Sequence, residues 1–375
     1  MESKKKIKIL ECIRQGQIGG GESHLFSLSM NLNKQIFEPI VLSFTDGAMI
    51  DLLQKNGIET HVIFTQKPFD IFVWKKVKKL IVDKKIDLIH AHGTRASSNV
   101  FWAAKSLHIP LIYTIHGWSF HDNQKPFIKK IRIASEKFLT EKSNVNISVS
   151  ESNKQTGIKY INSFSSVVVN NGIDQEKFNP TKKFVDIRNE LNIQKEEILL
   201  LFLARFTEQK QPLTLIKAFA KALIKMPTLK LLMIGDGDQK DEALELVKQL
   251  GIEENIIFEP FRQDVPDVLH ASDIFILPSL WEGLPIGLLE AMSMGKAVIA
   301  TNVDGTCEII KHESNGYLVA LDEENNELAE AIILLSSDKK LREHYGTNAK
   351  ETVKNRFDAV KMTKEIENIY TSFNK

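Results

Sequence analysis

Two doubly wound α/β domains in tandem are what this sequence predicts, and three observations predict them. The chain has 375 residues, more than a single hydrophobic core ordinarily organises. In both halves, short apolar runs rich in β-branched residues alternate with segments of helical period, the mark of βα units around a parallel sheet. The alternation breaks at Asn170-Asn-Gly-Ile-Asp174 and Phe178-Asn-Pro-Thr-Lys-Lys183, where turn residues and a proline intervene.

In chain order, the first half offers strands at Ile7–Ile13, Pro39–Phe44, Glu59–Phe64, Leu88–Ala91, Leu111–Ile115, Val145–Val149 and Val167–Val169. The second half offers Ile198–Leu203, Leu229–Ile234, Ile256–Glu259, Ile274–Pro278 and Ala297–Ala300. Helical patterns fill most of the gaps, so each half reads as its own doubly wound sheet. The expected division is 1–175 for a first domain, 176–355 for a second, and 356–375 for a terminal helix that packs back on the first. In such sheets ligands bind where loops leave the carboxyl ends of the strands.

Composition narrows the function classes. With 43% hydrophobic and 26% charged residues the chain is globular, and a net charge of +1 argues against nucleic acid as partner. The charge is uneven: 25 Lys and Arg face 16 Asp and Glu through residue 180, against 24 and 32 beyond it. Basic clusters at Trp74-Lys-Lys-Val-Lys-Lys-Leu80 and Phe127-Ile-Lys-Lys-Ile-Arg-Ile133 fit either a solvated helix face or attraction to an anionic membrane surface. No apolar run reaches the length of a membrane span, and the N-terminus runs straight into a strand, so a cytoplasmic protein is expected. Cys12 and Cys307 have no Cys or His partner at metal spacing, and neither a disulfide nor a zinc site is expected.

The richest segment is Ser279-Leu-Trp-Glu-Gly-Leu-Pro-Ile-Gly-Leu-Leu-Glu-Ala-Met-Ser-Met-Gly295. A strand runs into a loop carrying Glu282, and Pro285 suits the first helical position. The N–H groups of Ile286, Gly287 and Leu288 are then free to meet a phosphate, with the helix dipole adding to the attraction. Glu282 before the helix and Glu290 inside it can face one ligand, and carboxylates accept well from sugar hydroxyls. A second loop, Leu203-Ala-Arg-Phe-Thr-Glu-Gln-Lys-Gln-Pro212, brings Arg205 and Lys210 to a strand end, where both can meet a diphosphate.

Two sites belong to the first half. Gly16-Gln-Ile-Gly-Gly-Gly-Glu22 follows the first strand, but its spacing is not that of a dinucleotide fingerprint and the second strand ends without a ribose-reading acid. Tyr113-Thr-Ile-His-Gly117 puts His116 at a strand end, and Leu88-Ile-His-Ala-His-Gly93 carries an H-x-H pair, His90 and His92, read as acceptor-side or structural. Asp236-Gly-Asp238 imitates a D-x-D metal site but reads as a turn into a helix.

Together these segments resemble the retaining glycosyltransferases of family 4, which have the GT-B architecture of two Rossmann-like domains facing across a cleft. Glu282 and Glu290 match the E-x7-E signature. Arg205 and Lys210 match G-R-x-x-x-x-K-[GN], with Ala204 and Gln211 departing from the usual glycine and the usual glycine or asparagine. Gly19, Gly20 and Glu22 match the G-G-x-E loop, and His116 with Gly117 the T-x-H-G segment. The likeness extends in order through Val169–Asp174, Met233–Gly237, Asp264–Pro266 with Ala271–Asp273, and Asn315–Val319, nearly the whole chain.

The resemblance implies a catalytic pair of Glu282 at the donor sugar and His116 at a far sugar hydroxyl. It implies substrate binding by Gly19, Gly20, Arg205, Lys210, Ile286 and Gly287 at the phosphates and by Glu290 at the ribose. The donor implied is a nucleotide-diphosphate sugar, UDP-linked by preference, with no metal and no cofactor. The implied acceptor is a saccharide, free or lipid-linked, in surface polysaccharide or glycoconjugate synthesis, chosen by loops near Ile63–Trp74 and Gly117–Lys130. The alternatives are a non-hydrolysing sugar-nucleotide epimerase, which should not need the Arg205–Lys210 loop together with E-x7-E, and an inactive sugar-binding subunit, which should have lost these charges.

Overall fold

The computed structural model describes residues 5–373 apart from Ile18, Asn123 and Glu323. Met1–Lys4 and Asn374–Lys375, which the expected domain limits include, and Ile18 of the glycine loop lie outside the described residues. The chain divides into two compact units, Met1–Gly172 with Ala359–Lys375, and Ile173–Asp358.

The first unit holds strands β1 (Ile7–Ile13), β2 (Phe37–Ser43), β3 (Glu59–Val62), β4 (Leu88–His92), β5 (Leu111–Ile115), β6 (Val145–Ser148) and β7 (Val167–Val168). They form one sheet in the order β3-β2-β1-β4-β5-β6-β7, every pairing parallel. Alternation along β1 sends its side chains to opposite layers. Leu10 and Cys12 join Val77, Ala96 and Val100 on one side; Ile7 and Ile9 join Leu28 and the terminal helix residues Met362, Ile366 and Tyr370 on the other. The Ala359–Thr371 helix is therefore part of this unit's core.

The second unit holds β8 (Ile198–Leu203), β9 (Leu229–Ile234), β10 (Ile256–Glu259), β11 (Ile274–Leu277), β12 (Ala297–Thr301) and β13 (Tyr317–Val319). Their order is β10-β9-β8-β11-β12-β13, again all parallel. Leu200 and Phe202 of β8 pack with Leu215, Phe219, Ile332 and Leu335, an apolar helical layer over one sheet face. Every predicted strand is present, with ends displaced by at most two residues. β13 was not predicted; three residues are too few to show a period.

In both sheets the strand order reverses once, between β1 and β4 in the first unit and between β8 and β11 in the second. At such a switch point the two following loops leave in opposite directions and open a crevice at the carboxyl ends of the strands.

Candidate active site

The crevice of the second unit lies between the loops after β8 and β11, the two that carry Arg205, Lys210 and Glu282. Hydrogen bonds stitch these loops together. Leu280 N–H donates to Gln209 O at 2.8 Å and Gln209 Nε2 donates to Trp281 O at 2.8 Å. Lys210 Nζ donates to Glu282 Oε1 as an ion pair, with side chains only 17% and 7% exposed. The Glu282 N–H in turn donates to Asp304 Oδ2 at 3.2 Å. Arg205 lies on the same loop and is exposed.

Beneath the first loop passes the turn after β9. Gly235 has φ +138°, and a Cβ there would lie 2.1 Å from Ala204 O, so the turn can press against the Arg205 loop only as glycine. Asp236 takes the Gly237 N–H at 2.8 Å and the chain enters the Lys240–Leu250 helix soon afterwards, the turn that the D-x-D spacing resembles. Gln211 adopts the left-handed conformation, φ +54°, which is why glycine or asparagine suits this position. Its amide donates to Glu208 O at 2.7 Å and its oxygen accepts from Thr214, bonds that offset the strain.

After β11 the loop ends at the Ile286–Ser293 helix, with Pro285 as its N-cap rather than its first residue. Pro285 is extended, ψ 114°, and the first intrahelical bond runs from Leu289 N–H to Pro285 O. The N–H groups of Ile286, Gly287 and Leu288 thus precede any helical acceptor. Glu290 sits one turn further. Burial pushes its carboxyl up to about 7, opposed by the Lys177 charge. Its carboxylate bonds to no described residue, whereas Glu282 is held by Lys210.

In the first unit, His116 follows β5 and meets an assembly of imidazoles. His92 Nε2 donates to Glu11 Oε2 at 2.9 Å, and His116 Nε2 to His92 Nδ1 at 3.1 Å. Tyr370 of the terminal helix donates to Glu11 Oε1 at 2.7 Å and accepts from His90 Nδ1 at 2.6 Å. His24 donates through Nδ1 to Asn171 Oδ1 at 2.9 Å. Burial holds His24 down to about 3 and His92 down to about 4, and burial with the neighbouring rings lowers His116 as well. All three rings are neutral at pH 7. Glu11 has the opposite balance: burial alone would raise it, but His90 and His92 outweigh that and keep it ionised.

The donor atoms of His24, His92 and His116 lie within 4.8 Å of one another, as do those of Glu11, His90 and His92. Sequence spacing showed no third partner for the H-x-H pair; the fold supplies several. Both nitrogens of His92 are already spent on Glu11 and His116, however, and a metal would have to displace one of them. His90 and His92 are buried and serve as supports. The His116 ring is partly exposed, but its Nδ1 is itself buried and lacks a partner. Gly19 caps the Gly20–Asn31 helix, and Glu22 in its first turn lies 3.7 Å from Arg14.

The second unit matches the family model for glycosyl transferases group 1 over residues 184–352, and the first matches that for glycosyltransferase family 4 over residues 18–177. An uncharacterized glycosyltransferase of Methanocaldococcus jannaschii is 30% identical over 313 residues, 79% of this chain and 77% of that protein. This chain belongs to glycosyltransferase family 4. It is a glycosyltransferase of GT-B fold. A second relative, the UDP-Gal:alpha-D-GlcNAc-diphosphoundecaprenol alpha-1,3-galactosyltransferase of Escherichia coli, is 28% identical over 300 residues, 78% of this chain and 77% of that one. The crystal structure of Anabaena HepE with UDP and glucose shares the fold of this family 4 chain at a TM-score of 0.86 and 24% identity, covering 98% of this chain and 100% of that one.

Proposed function

We propose that the chain transfers a sugar from a UDP-linked donor to a saccharide acceptor, with retention of configuration and without a divalent metal. The observation that carries this reading is the pairing of Lys210 with Glu282 beside the open end of the Ile286–Ser293 helix, with Glu290 unpartnered one turn inside it. When the glycosidic bond breaks, negative charge grows on the donor diphosphate. Lys210, Arg205 and the N–H groups of Ile286 and Gly287 are cationic or dipolar groups in the place where a divalent ion would otherwise be needed. Glu282, fixed by Lys210, accepts from a sugar hydroxyl, and Glu290 accepts from the ribose diol. His116 is kept neutral and oriented by His92, so it can hold a far hydroxyl of the sugar without adding charge. Gly19 and Gly20 offer backbone N–H groups to the phosphates. Retention follows if a donor phosphate oxygen takes the acceptor's proton on the face that the leaving group vacates.

The choice of uridine is supported by HepE, whose structures hold UDP and UDP-glucose. A lipid-linked acceptor in surface polysaccharide synthesis is supported by the Escherichia coli relative, named for transfer to a diphosphoundecaprenol-linked sugar. Contact with a membrane surface on the cytoplasmic side is supported by exposed apolar side chains in or beside the two basic segments. Ile71 and Phe72 are 60% and 84% exposed at the start of the Ile71–Lys84 helix, whose core stripe is Val73, Val77 and Ile81. Phe127 and Ile131 are 74% and 54% exposed among Lys129, Lys130 and Arg132. Among the described residues no helix is long and apolar enough to cross a membrane.

The test is calorimetric binding of UDP, GDP and ADP to the full chain, then to Lys210→Ala and Glu290→Ala. UDP should bind at micromolar strength and each substitution should weaken it about tenfold, about 1.4 kcal/mol. Transfer should survive an excess of EDTA. Failure of all three nucleotides to bind removes the donor site, and a loss of activity in EDTA that magnesium restores removes the metal-free mechanism.

A further inference from the structure

The switch point of the first unit carries an open, shallow cavity of about 520 Å³. Gln15 and Gln17 line it from the loop after β1, Asp46 from the loop after β2, Phe64 and Gln66 from the loop after β3, and Arg95 from the first turn of the helix after β4. Arg95 is the residue that needs explaining. It is the second residue of the Thr94–Leu107 helix, whose N-cap Gly93 supplies no capping side chain. A cation in the first turn has the wrong sign for the helix dipole. It is also half-buried, and burial together with the Arg14 charge holds its guanidinium below its ordinary value. Its side chain forms no hydrogen bond or ion pair with any described residue.

Asp46, the acid in the lining, does not relieve this. Glu22 lies 3.7 Å from Arg14, and Asp46 is exposed and accepts the N–H of Gly47 in its own loop at 2.9 Å. Helix end, burial and a like charge thus all act against Arg95, and an anion bound there offsets them while being favoured by the same helix end and the same two cations. The rest of the lining suits a sugar beside that anion: the side chains of Gln15, Gln17 and Gln66 are amides without partners among the described residues, and Phe64 is a ring 68% exposed.

From this arrangement we infer that the cavity binds the anionic part of the acceptor, a phosphate or carboxylate gripped by Arg95 with Arg14 behind it, so that the enzyme selects acidic acceptors over neutral ones. The inference rests on the transferase reading above.

It is tested by calorimetric titration of inorganic pyrophosphate and of succinate into the full chain already saturated with UDP, so that the donor site is filled. Wild type, Arg95→Ala and Arg95→Lys are compared, and UDP affinity is measured first in each. At least one anion should bind wild type; Arg95→Ala should weaken it tenfold or more and Arg95→Lys by less, with UDP affinity unchanged within twofold. Preference for pyrophosphate assigns phosphate-linked acceptors, and preference for succinate assigns carboxylates. Absence of anion binding to the UDP-bound wild type, or equal binding by Arg95→Ala, overturns the inference and leaves the donor site standing. If wild type does not bind UDP, the donor-site reading falls instead, and the same titrations without UDP still decide the cavity.

Discussion

Glu290→Gln should make the protein more stable and a worse binder of UDP, and the first effect should depend on pH in a calculable way. Burial raises the Glu290 carboxyl from 4.5 to about 7. That rise corresponds to about 3 kcal/mol, and partial exposure of the side chain reduces it to about 2 kcal/mol. A carboxyl whose pKa is higher in the folded than in the unfolded chain holds its proton more tightly when folded. Its ionisation therefore costs the fold nothing below pH 4.5, progressively more up to about 7, and the full amount above. Glutamine has the same shape and cannot ionise. The melting temperature of Glu290→Gln should match wild type near pH 4.5 and exceed it at about pH 7.5 by about 4–8 °C. UDP should act in the opposite sense. Two ribose hydroxyls donating to the carboxylate favour its ionised form, so wild-type affinity should rise several-fold between about pH 6 and 7.5 with uptake of a proton by the buffer, whereas the glutamine variant should keep only the change due to UDP's own terminal phosphate, which ionises at about pH 6, and bind about tenfold weaker. Differential scanning calorimetry and titration calorimetry in two buffers measure both. A glutamine variant that melts below wild type at pH 7.5, or binds UDP as well as wild type does, would refute the assignment of Glu290 as a desolvated ribose acceptor.

Further substitutions follow from the geometry. Lys210→Ala leaves the Glu282 carboxylate, 7% exposed, without its partner, and should cost about 1–3 kcal/mol in urea denaturation; adding Glu282→Gln should restore most of the stability but none of the UDP affinity. Gly235→Ala puts a Cβ 2.1 Å from Ala204 O at φ +138° and should cost more than about 2 kcal/mol, whereas Gly57→Ala, at φ +76° with nothing nearby, should cost about 1 kcal/mol. Tyr370→Phe removes the hydroxyl between His90 and Glu11 and leaves a fully buried carboxylate oxygen without that donor. It should lower stability by about 1–3 kcal/mol while UDP affinity changes little, because none of the groups proposed to hold UDP bonds to Tyr370.

The groups proposed to hold the donor were legible in the sequence because each lies within one loop of a strand end, and strand ends are what periodicity locates best. Arg205 and Lys210 follow β8 directly, and Glu282 and Glu290 span a single loop and helix start. The loop-to-loop bonds from Gln209 to Leu280 and Trp281 join residues about seventy apart, and no local pattern predicts such a pairing. The supports of His116 were hidden for the same reason. His24, His92 and His116 come from three segments, and Tyr370 reaches Glu11 across 359 residues of chain. The H-x-H pair was visible as two histidines, but its structural role depends on Glu11, a residue that in sequence is only a lone acid inside an apolar strand.

That buried assembly also decides what a pH profile of this enzyme can mean. A histidine near a sugar site would ordinarily be the first suspect for any change of activity between pH 6 and 7.5. Here burial holds His24 down to about 3 and His92 down to about 4, and lowers His116 too, so none of the three changes charge in that window. Lys296, brought down to about 8 by burial, titrates above it and donates to the carbonyls of His270 and Ser272 rather than to the candidate site. Glu290, at about 7, is the site group left to respond. An inflection near pH 7 in UDP affinity should accordingly vanish in Glu290→Gln and persist in His116→Asn. The reverse pattern would mean that the imidazoles are wetter, and less tightly bound to one another, than their hydrogen bonds indicate.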